Sequence, residues 1–160
     1  MLAGCYQRGG EVKQSKGLKR TLLKKQSKGK ISTIKRRVWV LFSAYIRTRD
    51  CLRTTGCSSW GLCITCGKRY HFKLLQAGHF IAGRHNSNLF SEKGVHAQCY
   101  NCNINLRGNS LEYRRQVVKL YGEGADLEVE EEASKITKFT VEGLLELEAE
   151  LKEKNRLLEV

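Results

Sequence analysis

Apolar residues take up helical spacing from Ile34 onward, where Val38, Leu41, Phe42 and Tyr45 share one face that Trp39 and Ile46 widen. The spacing predicts a helix over 34–50, with Lys35, Arg36, Arg37, Arg47 and Arg49 left for solvent or phosphate. Residues 1–30, rich in Gly, Ser, Gln and Lys and without apolar periodicity, read as a flexible basic arm. Residues 51–62 have the small and polar composition of a connector. Leu74, Leu75, Ala77, Phe80 and Ile81 predict two short strands around Gly78 and His79, followed by a Gly- and Asn-rich loop over 83–88. Arg107, Gly108 and Asn109 mark a turn, after which Ser110 is placed to cap a helix. The inner face of that helix reads as Leu111, the stem of Arg114, Val117, Val118 and Tyr121, with Gly122 as its stop. The acidic segment 123–133 reads as loop or frayed helix. Thr140 and Glu142 then open a last helix, 141–158, striped by Leu144, Leu147, Leu151 and Leu158. That stripe either packs on the 34–50 helix or meets its counterpart in a second copy, which leaves a homodimer open.

Charge divides the chain into three parts. Residues 1–53 hold 15 Lys or Arg against 2 acids, residues 54–122 hold 9 against 2, and residues 123–160 hold 5 against 12. A positive front of this kind suits a polyphosphate partner, because neutralised phosphates release counterions. An anionic membrane surface or a ribosomal site would attract it equally, so charge alone identifies neither DNA nor an activity. No run approaches the 18 apolar residues of a membrane span, and the N-terminal residues lack the apolar core of a secretory signal. The expectation is a reducing, intracellular compartment, where clustered cysteines serve as metal ligands more readily than as disulfides.

Of the 7 cysteines, Cys63 and Cys66 form one C-x2-C pair and Cys99 and Cys102 a second, separated by 32 residues. Two such knuckles provide the four soft thiolates that structural zinc takes in a closed tetrahedron, so this metal would hold the fold and do no chemistry. Gly67 is placed for the left-handed turn of the first knuckle. Cys51 and Cys57 lack further ligand partners nearby and read as free thiols, and Cys5 lies in the arm.

All 4 histidines, His71, His79, His85 and His96, fall between the two knuckles. Hydrolysis of a phosphodiester needs a base for water, a hard divalent ion for the developing charge, and cations that place the backbone. Histidine, Asn and nearby Arg can supply these, whereas a bare zinc ribbon needs no histidine. His71, close behind the first knuckle, reads as a structural or surface residue.

The strings CITCGK, QAGHFIAGRH, VHAQCYNCN and LRGNSLEYR resemble the phage NinG/Rap recombination proteins, a group of zinc-containing, HNH-like nucleases. The likeness extends to the stretch around Trp39, Tyr45 and Asp50 and to the start of the last helix, and so covers roughly residues 30–160. It implies an α+β fold: a zinc-stapled ββα-metal core over about 59–122, an N-terminal helix, and an acidic helical extension over 123–158, all in one domain, 31–160, behind the arm. It also implies an endonuclease that needs Mg or Mn and cuts branched DNA, such as D-loops and Holliday junctions, in the cytoplasm of a bacterial host beside phage or host recombination proteins.

By the same resemblance, His79 stands at the general-base position and Asn103 where HNH proteins place their last metal ligand. Gly78 replaces the acid or His that commonly precedes the base, and Gly94 replaces the middle Asn that ties the active-site loop to its backbone. Either His96 or a residue in 83–88 compensates, or the site is weak or differently assembled. His96 is a further candidate as ligand or phosphate contact, its alternative being structural. Arg84 and His85 are candidates to clamp the scissile phosphate, against a role as solvated loop residues. Arg36, Arg37, Arg107, Asn109, Arg114 and Arg115 are candidate DNA contacts, and no segment resembles a base-reading helix. The rival function is a zinc-stabilised DNA-binding or architectural protein with little or no cleavage.

Overall fold

The computed structural model describes residues 16–83 and 86–158. Helix α1 (Lys16–Thr55) carries the fold. It begins well before the expected start at 34, so residues 16–30, read as an arm, have helical backbone. The absence of an apolar period misled here, since a proline-free stretch rich in Lys, Leu, Arg and Gln has adequate helix propensity. Its buried row is Ile34, Val38, Phe42 and Ile46, four residues apart. Gly56, at φ 68°, ends the helix and donates its N–H to the Leu52 carbonyl at 2.9 Å.

The segment read as a connector also holds β1 (Trp60–Leu62), which pairs antiparallel with β2 (Arg69–His71). The turn between them is the first cysteine knuckle, where Gly67, at φ 66°, donates to the Cys63 carbonyl at 2.9 Å. A 3-10 turn over Phe72–Leu74 leads into β3 (Leu75–His79). The two strands expected around Gly78 and His79 are thus a single strand, whose antiparallel partner is β4 (Val95–Cys99), across the loop 80–94. A π-helical turn over Asn101–Asn105 follows β4 directly and carries Cys102 and Asn103.

Helix α2 (Ser110–Tyr121) is capped by Asn109 in place of Ser110, and no side chain bonds to its first turn. Its inner face is rotated from the expected one: Leu111 is 74 % exposed, while Tyr113 and Val117 are fully buried. The reason is tertiary, because Tyr113 reaches the Gly78 carbonyl with its hydroxyl at 2.8 Å and packs with Phe80, Ala125 and Val129. The acidic segment is ordered as α3 (Ala125–Ser134), whose Asp126 and Glu130 pair with Arg114.

Helix α4 (Val141–Leu158) starts at Thr140, whose Oγ1 accepts the Gly143 N–H at 3.0 Å. Leu144 and Leu151 bury themselves among Ile34, Val38, Phe42 and Ile46 of α1. Full burial of such a side chain stabilises by about 1.5–3 kcal/mol. The leucine stripe is therefore spent on the chain's own core, which removes the argument for a dimer through it. Among the described residues, no helix is long and apolar enough to cross a membrane.

Candidate active site and metal centre

The knuckles converge as their spacing predicts. The Sγ atoms of Cys63, Cys66, Cys99 and Cys102 all lie within 4.8 Å of one another, and those of Cys66 and Cys99 are 4.0 Å apart. A tetrahedron with Zn–S bonds of about 2.3 Å has S···S edges of about 3.8 Å, so the donor set fits zinc in size and in softness. β-strand geometry supplies the ends of β1 and β4, and the π-helical turn returns Cys102 to them. Burial opposes ionisation of Cys63, but the Thr65 hydroxyl and the backbone N–H groups of Cys99, Cys66 and Thr65 bring its pKa down to about 7. Cys102 is pushed up to about 12, first by burial and then by the neighbouring thiols. A dication bound among the sulfurs would offset that repulsion. Cys51 is buried against Leu75 and Ala97, and Cys57 is exposed, both as free thiols.

Strand alternation separates the histidines. His79 is opposite Val95 on the side facing α1, and its ring stacks on Trp39 with centroids 5.4 Å apart. Its Nε2 lies 3.3 Å from the Leu89 carbonyl oxygen. His79 lines a cleft of about 290 Å³ together with Asn103, Ile104, Arg107 and Gly108. Asn103 is oriented by its Nδ2, which donates to Gln76 Oε1 at 2.8 Å. Arg107, Gly108 and Asn109 have successive positive φ values of 50°, 88° and 49°, a conformation that costs energy at the two non-glycine positions. The turn is held because Gly108 donates its N–H to the Cys102 and Asn103 carbonyls, and Gln98 Nε2 donates to the Gly108 carbonyl at 2.8 Å. In this way the second cysteine knuckle fixes the wall that carries Arg107.

His96 faces the other side, opposite Gly78, and is fully buried. Its Nε2 is 3.2 Å from the Lys93 carbonyl oxygen, and its Nδ1 is 2.9 Å from an Arg49 nitrogen and 3.2 Å from Asp50 Oδ2. Burial lowers its pKa against the pull of Asp50, and Arg49 and Arg53 add to the lowering. A neutral ring that donates from Nε2 to the Lys93 carbonyl accepts from Arg49 at Nδ1, whereas donation from Nδ1 to Asp50 Oδ2 belongs to the other tautomer or to the imidazolium. Asp50 also accepts the Ala97 N–H at 2.7 Å. Burial alone would raise this carboxyl, but His96, Arg49 and Arg53 hold it well below the usual carboxylate range. His96 thus belongs to a latch between α1 and β4 and is withheld from the cleft, which corrects the expectation of a ligand or phosphate contact. His71 caps the 3-10 turn by accepting the Lys73 N–H at 3.2 Å.

Both glycine departures lie against packed side chains. A Cβ on Gly78 would lie 2.1 Å from Gln98 Oε1 and 3.0 Å from Asn103 Oδ1, so an acid before His79 would have to displace the buried Gln98 side chain. A Cβ on Gly94 would meet Val129 Cγ1 at 3.0 Å and Ser91 Oγ at 3.1 Å. The tie ascribed to the missing Asn is made instead by Asn88, 2 % exposed, whose Nδ2 donates to the carbonyls of Ile81 at 3.1 Å and Gly83 at 3.2 Å. Asn88 lies within the 83–88 range, though its composition did not single it out. Gln76, Gln98 and Asp50 fall inside the stretches that carry the family likeness, but nothing in the sequence gave them a role.

Of the candidate DNA contacts, Arg107 and Arg36 are exposed, and their side chains make no hydrogen bond or ion pair to another described residue. Arg37 pairs with Glu148 at 2.6 Å, Arg115 with Glu112 at 3.0 Å, and Arg114 with Asp126 and Glu130. Those three are engaged within the chain, and Asn109 is the α2 cap. Arg84 and His85 lie outside the described residues.

Among known proteins, neither a curated protein nor a solved structure matches the chain. The family model described as Bacteriophage Lambda NinG protein matches residues 6–160. With that match running over nearly its whole length, and with the four-cysteine centre in place, the chain belongs to the NinG family.

Proposed function

We propose that this protein is a divalent-metal-dependent endonuclease of phage recombination, acting on branched DNA such as D-loops and Holliday junctions in the bacterial host cytoplasm. The observation that carries the reading is the meeting of His79, Asn103 and Arg107 in one cleft, with His79 Nε2 held on the Leu89 carbonyl. A carbonyl accepts only, so the neutral ring keeps its proton on Nε2 and Nδ1 becomes the basic nitrogen. His79 Nδ1 then takes the proton of the attacking water, while Trp39 fixes the plane of the ring. Arg107 holds the scissile phosphate by charge. The Asn103 carboxamide oxygen is a hard donor suited to Mg or Mn, which when bound would stabilise charge on the phosphate and leaving oxygen. The order β3, β4 and then a helical turn carrying Asn103 is the order a ββα-metal, HNH-like motif requires.

A second reading, a zinc-stabilised DNA-binding protein without cleavage, is favoured by one feature: no carboxylate is among the described residues lining the cleft. Zinc-loaded protein incubated with labelled D-loop, Holliday-junction and linear DNA, with Mg, Mn or EDTA, separates the two. Cleavage that needs the divalent ion and is lost in His79→Ala supports the nuclease. Junction binding without a cut, equal in both proteins, assigns the chain to the binding class.

A further inference from the structure

A second cleft of about 330 Å³ adjoins the one at His79 and shares Ala77, Asn103 and Ile104 with it. Its cation is Arg47, partly buried on α1, whose guanidinium lies over the Phe72 ring at 4.3 Å and donates from Nε to the Ser43 carbonyl at 3.0 Å. Arg37, Arg49, Arg53, Arg114 and Arg115 all pair with carboxylates, but no ion pair forms at Arg47 among the described residues. Burial lowers the Arg47 pKa, with only Cys51 acting against it. A half-buried guanidinium without a counter-ion carries an unmet desolvation cost that an incoming anion relieves. Ser43 and Gln76 add polar groups to the walls, and the two clefts lie on either side of the shared Ala77, Asn103 and Ile104.

We propose that the Arg47 cleft is a second phosphate subsite, which holds the DNA backbone phosphate next to the one at His79. The subsite rests on the nuclease reading only for the identity of that neighbour, since two adjoining cationic clefts suit a polynucleotide strand whether or not it is cut. Arg47 is a positioning residue here. It keeps the strand in register over Asn103 and Ile104 while His79 acts on the adjoining phosphate.

The test is DNA binding by zinc-loaded full-length protein without Mg or Mn, followed by fluorescence anisotropy on duplex and four-way-junction DNA from roughly 50 to 200 mM salt. Arg47→Gln is expected to reduce the slope of log K against log salt by about 0.9, the value for one phosphate, and to weaken binding about eightfold near 0.1 M salt. Arg47→Lys should keep the slope. Ser43→Glu pairs with Arg47 at helical i,i+4 spacing, which favours the fold while neutralising the cation, and should reproduce the loss even if Arg47→Gln does not fold. Unchanged slopes in Arg47→Gln and Ser43→Glu overturn the subsite. So does a site that takes inorganic phosphate alone and leaves the DNA slope untouched. Slope loss in a protein that never cuts retains the subsite and removes the nuclease, whereas cutting with unchanged slopes does the reverse.

Discussion

His79 Nε2 lies 3.3 Å from the carbonyl oxygen of Leu89, the residue directly after the buried Asn88. The contact sets the tautomer of the proposed base, and Asn88 in turn holds the loop by its bonds to the Ile81 and Gly83 carbonyls. Asn88→Ala should therefore lower kcat for junction cleavage with little change in KM, and destabilise the fold by roughly 1–3 kcal/mol through the two abandoned acceptors. His79→Ala should cost about 10²–10⁴-fold in rate, with a smaller loss of stability because it abandons one acceptor, the Leu89 carbonyl. Steady-state kinetics beside thermal melts checks both. An Asn88→Ala protein that cuts at the wild-type rate would remove the loop from the mechanism.

Gly78 is a glycine because of contact and not because of its backbone angles. A methyl group there meets Gln98, whose amide already donates to Thr65 and to the strained turn at Gly108. Gly78→Ala should destabilise by about 1–3 kcal/mol by overpacking, and Gly78→Asp by more, without any gain in metal affinity. Denaturant unfolding measures the first and metal titration of cleavage the second. Tighter Mg dependence in Gly78→Asp would show that the backbone yields to an acid at this point.

What the sequence disclosed and what it hid divide on physical grounds. The paired cysteines, the Thr140 cap and the stripe of Leu144 and Leu151 were legible because local spacing encodes them. The α2 face was misjudged because Leu111 and Tyr113 are both suited to a core, and only the Gly78 carbonyl and α3 decide between them. The β3–β4 pairing spans a loop with no period of its own. The Asp50–His96 contact joins residues 46 apart, a separation that one sequence gives no means to detect. His79 and Asn103 were reachable through the family likeness, but their cleft also needs Arg107 in a left-handed turn that Gly108 and Asn109 only hinted at.

Removal of the metal should disturb more than the knuckles. Cys102 precedes Asn103, and its carbonyl accepts the Gly108 N–H, so a loosened Cys102 also frees Asn103 and Arg107. Structural zinc in small domains supplies an apparent 10–16 kcal/mol or so. Chelation of the four-cysteine site, or Cys102→Ser, should collapse the thermal transition and abolish DNA binding together. Circular dichroism with zinc quantification tests this. Retention of a cooperative melt after complete loss of zinc would mean that the helical core of α1 and α4 stands without the centre.

The buried latch predicts the acid response. His96 has its pKa lowered, so the unfolded chain binds its proton more readily than the folded one, and the contribution to stability is complete above about pH 6.5 and lost as pH falls toward the folded value. Asp50 is also depressed, so its contribution is present above its ordinary pKa near 3.8 and is lost only on further acidification. The two losses have the same sign and occupy successive windows. Titration of the imidazole by NMR in the zinc-loaded protein should place His96 below 6.5, and unfolding free energy should decline from pH 7 downward. His96→Gln removes the imidazole from the first window, so its decline there should be shallower than in the wild type, while the Asp50 window remains. A His96 that titrates above 6.5 would reverse the sign of its contribution: the ring would then be an imidazolium held by Asp50, and mild acid would strengthen the latch.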